Sequence, residues 1–220
     1  MRPSNPEALT TAQIEALTRV AGAGAALASE AMTRMTRRPV AVLSPRVRAI
    51  RIAQVADFLG GAEALVVALR MRIHGPFRGD MLIALSPESA GWLLAAVLER
   101  PRAHPDLGNL TRFEESGLLE IGNTMAGSYL SALSNIAKQT LLLSIPEIAI
   151  DMAGAVVDDL LAETTRGAAT VLLIDMALAA GPLGRGALML HLLDPVTLPL
   201  LVSALSGARD GQGCDAIGGV

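Results

Sequence analysis

Two periods run through the apolar positions of this chain. Leu65, Val67, Leu69, Met71 and Ile73 share one parity, and Leu172, Ile174, Met176 and Leu178 do so again later. Period two predicts half-buried strands with one face on a core. Around residue 111 the period changes. Phe113, Leu118, Ile121, Met125, Ala132, Leu133 and Ile136 recur at helical spacing, predicting a long helix that starts near Thr111 and buries that seam. Asn109 or Thr111 is expected to cap it. The greasiest stretch, Ala168 to Leu193, is broken by Asp175, Gly181-Pro182 and Arg185, so its halves are too short for membrane-spanning helices.

The pattern repeats. With an offset of 101 residues, Val20 to Pro45 falls on Ile121 to Pro146, each a small-residue helix of about six turns and then a β-prone run ending in Pro. Further on, His74-Gly75-Pro76 precedes a strand at Met81–Leu85, and Ser86-Pro87 opens a helix. Gly181-Pro182 likewise precedes a strand at Ala187–Leu193, and Asp194-Pro195 opens a helix, with Pro at the first helical position in both cases. The expected organisation is an N-terminal tail (1–8), one α+β domain (9–206) and a Gly-rich C-terminal tail (207–220). The domain is read as two repeats, about 9–100 and 110–206, sharing one sheet and separated by the Pro/polar break around Arg100 to Asn109. One extra helix, about Ile150 to Glu163, is expected in the second half only.

Composition narrows the chemistry. The 220 residues are 51% apolar but only 2% aromatic, which disfavours a stacking platform for single-stranded nucleic acid. A net charge of −3 disfavours duplex binding. The single cysteine, Cys214, excludes an intrachain disulfide and fits a reducing cytoplasm, and the N-terminal residues carry no signal-peptide pattern. His74, His104 and His191 are scattered, so no zinc site is expected and no metal of the chain's own. His191, inside an apolar run, reads as a core imidazole. Of the 18 Lys and Arg residues only Lys138 is a lysine, and no Gly-rich loop precedes it. The Arg cluster from Arg34 to Arg51 reads mainly as charge complementing a helix C-terminus.

Candidate chemistry lies on the second long helix. Ser116, Glu120 and Asn123, four and three residues apart, share one face off the apolar seam, and Gly127 continues that face without a side chain. Spacing alone describes a solvated face as well as a site. The wider pattern, Ser116-x3-Glu120-x2-Asn123-x22-Pro146 with the local wording Glu120-Ile121-Gly122-Asn123, resembles the signature of the CheC/CheX/FliY family of chemotaxis phosphatases. The resemblance covers essentially the whole folded chain, duplication included. At the matching positions the first repeat has Glu15, Arg19, Gly22 and Pro45: the acid has become a cation and the amide has lost its side chain. Only the second repeat keeps the motif.

The resemblance implies a CheC-like fold with pseudo-two-fold symmetry, two long helices packed on a mostly antiparallel sheet. It also implies a protein phosphatase that hydrolyses the aspartyl-phosphate of a CheY-type response regulator. Asn123 would orient the water and Glu120 would pair with the regulator's lysine, with Ser116 and Pro146 supporting the motif. Mg²⁺ would come from the regulator, and the segment 150–163 matches the place where family members bind the deamidase CheD. Neither nucleic acid nor membrane is expected as a partner. The alternative is a non-catalytic module, like the FliM middle domain or a CheD-binding scaffold, that binds phosphorylated regulator. FliM lacks the Glu-x2-Asn motif and continues into a further C-terminal domain, which favours the enzyme.

Overall fold

The computed structural model describes residues 9–99, 106–163, 170–179, 187–193 and 197–210. The elements run α1 (Thr11–Thr36), β1 (Ala41–Arg51), a 3₁₀ turn (Ile52–Gln54), α2 (Val55–Phe58), β2 (Leu65–His74), β3 (Gly79–Leu85) and α3 (Pro87–Val97). The second half runs α4 (Arg112–Ala137), β4 (Leu142–Leu143), β5 (Glu147–Met152), α5 (Ala153–Glu163), β6 (Thr170–Ala179), β7 (Ala187–Leu193) and α6 (Leu198–Asp210). The fold is α+β, with every described strand pair antiparallel.

The duplication is visible in the geometry. Helices α1 and α4 are each 26 residues long and sit 101 residues apart. Their N-caps repeat at that offset. The Thr10 hydroxyl accepts from the Gln13 N–H while the Gln13 side chain accepts from the Thr10 N–H, and Thr111 and Glu114 exchange the same pair of bonds. Each capping box satisfies two N–H groups that the first turn leaves without partners. Both helices stop at a residue in the left-handed region, Arg37 and Lys138.

The sheet order β1-β6-β7-β3-β2-β4, with β5 continuing β4 along β2, interleaves the repeats. Each repeat's first strand pairs with the other repeat's second strand, and the pseudo-two-fold axis passes between β3 and β7. A one-residue bulge interrupts each edge at the same place, after Leu43 in β1 and between β4 and β5. Pro45 and Pro146 occupy these bulges, where a missing N–H breaks no ladder bond.

One face of the sheet carries α1, α3, α4 and α6 over a core that includes Leu69, Met71, Met81, Ile83, Leu93, Ile121 and Met125. The two-residue period therefore places Val67, Leu69, Met71, Ile73, Leu172 and Ile174 on that face. The central strands are not half-buried throughout, however. The other face is covered in part by the 3₁₀ turn, α2 and α5, which bury Val66, Ala68, Leu82, Leu173 and Leu190. Leu65, expected on the buried parity, is exposed at the start of β2.

Four further expectations change. The extra helix begins at Ala153, because Ile150 to Met152 continue the β5 ladder with β2. It also has a counterpart, since the 3₁₀ turn and α2 follow β1 as α5 follows β5. Phe113, expected on the buried seam, is 60% exposed in the first turn of α4. Asp194-Pro195 lies outside the described residues, and α6 begins at Leu198 and runs to Asp210, past the boundary expected at 206. The tail segments 1–8 and 211–220, with Cys214, also lie outside the described residues.

Candidate active site

Helix α4 is gripped on two sides. On the sheet side, a methyl group placed on Gly122 would come within 2.8 Å of Leu69 Cδ1. Towards α1, a methyl on Gly24 would reach 2.8 Å from the Tyr129 Cα, so the two helices cross with almost no space between their backbones. The glycine in Glu120-Ile121-Gly122-Asn123 therefore lets α4 lie close on β2. Ile121 beside it is fully buried. The neighbours of these two positions, Glu120 and Asn123, point to solvent.

The exposed face is a continuous stripe at spacings of three and four: Ser116, Glu120, Asn123, Ser131, Asn135 and Lys138, with the half-buried Gly127 in its middle. Helical geometry puts the Cβ atoms of Glu120 and Asn123 about 5–6 Å apart. Among the described residues, no hydrogen bond or ion pair within the chain engages either side chain. Both headgroups are free to meet another molecule. Space opens beyond them, for nothing lies within 4 Å of a methyl placed on Gly127. From Gly127 a groove of about 710 Å³ runs between the C-terminal half of α4 and the segment 138–143.

The supporting residues behave differently. Ser116 Oγ donates to the Arg112 carbonyl at 2.8 Å, which commits the hydroxyl to its own helix. Among the described residues no imidazole is hydrogen-bonded to it: His191 is buried in the core and His74 lies exposed on β2, while His104 lies outside the described residues. Pro146 sits half-buried in the edge bulge. That bulge is pinned by Ser144, whose N–H donates to the Arg72 carbonyl at 2.8 Å and whose hydroxyl accepts from the Arg72 N–H at 2.9 Å. Pro45, buried, holds the equivalent place in the repeat without the motif, so this proline serves the fold in both halves. On α1, Glu15 and Arg19 are exposed and Gly22 leaves open space.

One buried polar pair escaped the sequence reading. Tyr129 Oη and His191 Nδ1 are hydrogen-bonded at 3.1 Å inside the core, ring edge against ring face. Among the described residues His191 Nε2 finds no hydrogen-bond partner. Burial lowers the His191 pKa to about 4, so the imidazole is neutral at pH 7, and burial pushes the Tyr129 phenol up. The apolar run around His191 marks it as a core residue, but nothing in the sequence pairs it with a tyrosine 62 positions away.

Below the sheet, a second groove of about 410 Å³ lies between β2, β5 and α5, with Arg70, Glu147, Asp151 and Asp159 at its polar rim. Arg70 is paired with Asp80 at 3.1 Å. Among the described residues, no three His, Cys, Asp or Glu side chains are grouped to hold a metal ion, and no helix is long and apolar enough to cross a membrane.

No protein-family model matches the sequence. The chain is 29% identical over 167 residues to the CheY-P phosphatase CheC of Bacillus subtilis, a match spanning 76% of this chain and 79% of that protein. Its fold is similar to Thermotoga maritima FliY, with a TM-score of 0.74 at 14% identity over 91% of this chain and 98% of the other. It is also similar to the FliM middle domain of H. pylori, with a TM-score of 0.63 at 12% identity over 89% and 99%. The chain is thus similar in sequence to a CheC and similar in fold to FliY, two members of the family whose signature its second repeat resembles.

Proposed function

We propose that the chain is a phosphatase for the aspartyl-phosphate of a CheY-type response regulator, working through α4 alone. The observation that carries the reading is the pairing of an unengaged carboxylate and an unengaged carboxamide, Glu120 and Asn123, on the exposed face of a helix fixed from below. The likeness to a CheY-P phosphatase supports it.

An acyl phosphate is already activated. Its hydrolysis needs a water oxygen held in line with the leaving carboxylate oxygen, and neutralisation of charge on the phosphoryl group. The Asn123 amide suits the first task, because its oxygen accepts from the water while its NH₂ donates, and it never ionises. The water oxygen bonds to phosphorus, the bond to the aspartyl oxygen breaks, and the water proton leaves with inorganic phosphate. The regulator supplies the Mg²⁺ and the lysine of its own site. Glu120, one turn before Asn123, pairs with that lysine and docks the helix. The rigidity of α4 matters here, since misplacing the amide by about 1 Å costs roughly a hundredfold.

The expectation of a CheD-type partner on 150–163 narrows to the solvent side of α5, where Asp158 and Asp159 are exposed. The FliM-like alternative, binding without hydrolysis, shares the fold and is separated by experiment. The affinity of a beryllofluoride-loaded CheY-type receiver is measured alongside the decay of the phosphorylated receiver. The phosphatase reading expects binding together with faster decay, and binding of Asn123→Ala without it. Binding with no acceleration by the wild-type protein would install the non-catalytic reading.

A further inference from the structure

We infer that the groove running from Gly127 to Lys138 is a docking ledge for a negatively charged surface element of the same receiver whose phosphoaspartate faces Asn123. The inference rests on the phosphatase reading and extends it from the reacting group to the rest of the partner's surface.

Three observations carry it. The first is continuity. Asn123, Gly127, Ser131, Asn135 and Lys138 follow one another at spacings of three and four, so the groove is the direct extension of the candidate site along one helix face. At 1.5 Å per residue, Asn123 and Lys138 lie about 22 Å apart. A globular domain of about 120 residues has a radius of gyration near 14 Å. One receiver seated on Asn123 therefore reaches Lys138 with the same face.

The second is charge. The groove lining holds Lys138 and no carboxylate, in a chain whose net charge is −3. Lys138 is exposed, and among the described residues no carboxylate of the chain pairs with it. Its ammonium complements the negative end of α4, and it is the cation a partner meets there. The remaining polar lining is neutral, with Ser131, Ser134, Asn135, Gln139 and Thr140 offering donors and acceptors without selecting against an anion.

The third is shape. The floor is apolar, from Leu130 and Leu141, and Leu142 at its edge is 63% exposed. Gly127 leaves the mouth open where any larger residue would project into it. Neither the packing nor the backbone of α4 requires glycine there. An apolar floor, a polar rim and a single charge is the composition of a modest protein interface.

The test uses the full chain with each CheY-type receiver of the source organism, phosphorylated for kinetics and beryllofluoride-loaded for affinity. Gly127→Phe fills the mouth of the groove, and Lys138→Glu reverses its charge. Gly127→Phe is expected to raise KM and weaken beryllofluoride-receiver binding about tenfold or more, with kcat at saturation changed less than about twofold. Lys138→Glu is expected to weaken binding about threefold to tenfold at low salt, an effect that fades towards 0.5 M salt as screening shortens the reach of the charge (values on the order of those for interfacial charges). Should Gly127→Phe fail to fold, Lys138→Glu still decides. Unchanged affinity and KM in the folded variants would overturn the ledge while leaving the phosphatase standing. No acceleration by the wild-type protein would instead remove the phosphatase reading, and the affinity measurements would still report on the ledge.

Discussion

Helices α1 and α4 begin at matching capping boxes, run 26 residues and end on left-handed Arg37 and Lys138. Each is followed by an edge strand with a proline in a one-residue bulge. Their buried faces do the same work against one core. Their outward faces do not. On α4 the stripe presents Glu120 and Asn123 unengaged. On α1 the same positions hold Arg19 and Gly22, and further along the stripe Glu30 and Arg34 form an ion pair with each other. A duplicated scaffold keeps what packing demands and lets the solvent face drift, so the residues that differ between halves are the informative ones. Pro146, preserved as Pro45, is explained by the bulge. Glu120 and Asn123 have no structural explanation.

This contrast is open to direct attack. The largest expected effect is at Asn123. Asn123→Ala should lower the stimulated decay of a phosphorylated receiver by about a hundredfold or more, with the melting temperature unchanged because the side chain is exposed. Arg19→Ala on α1 should leave the rate within about twofold. Next, Glu120→Ala should raise KM about tenfold while lowering kcat less, the pattern of lost positioning, read from saturation curves.

A smaller pair of effects contrasts the glycines. Gly122→Ala forces a methyl against Leu69 and should cost about 1–3 kcal/mol, measured by denaturant unfolding. Gly22→Ala meets open space and should stabilise the protein by up to about 1 kcal/mol through helix propensity.

The last prediction concerns the core. His191 on β7 stands where β3 carries Ile83, and Tyr129 stands where α1 carries Ala28, so the second half alone buries a polar pair. The His191 pKa is about 4 in the fold against 6.5 when exposed. Between those values the unfolded chain binds more protons than the folded one. The contribution of His191 to stability therefore rises with pH from about 4 to 6.5 and is flat above, by roughly 3 kcal/mol at most. His191→Ile should flatten that slope, as seen in urea midpoints across the range.

Much of this was legible in the residues because duplication tests each reading twice. The offset of 101 aligned both long helices and both prolines before any coordinate. Glu120 and Asn123 could be placed on one outward face by counting. What failed depended on neighbours remote in sequence. Phe113 fits the period of the seam, yet in the first turn of α4 it is 60% exposed. Val66 and Ala68 are buried by α5, which comes almost 90 residues later in the chain. The groove beyond Gly127 exists only because the helix and the 138–143 segment diverge, and no residue pattern announces that.

The account stands on α4 being the working helix. The measurement that tests it most directly is the decay of a phosphorylated CheY-type receiver at fixed Mg²⁺, with equal amounts of the wild-type, Asn123→Ala and Arg19→Ala proteins. The account predicts acceleration by the wild-type and Arg19→Ala proteins and the receiver's own decay rate with Asn123→Ala. Full acceleration by Asn123→Ala, or its loss in Arg19→Ala, would contradict it.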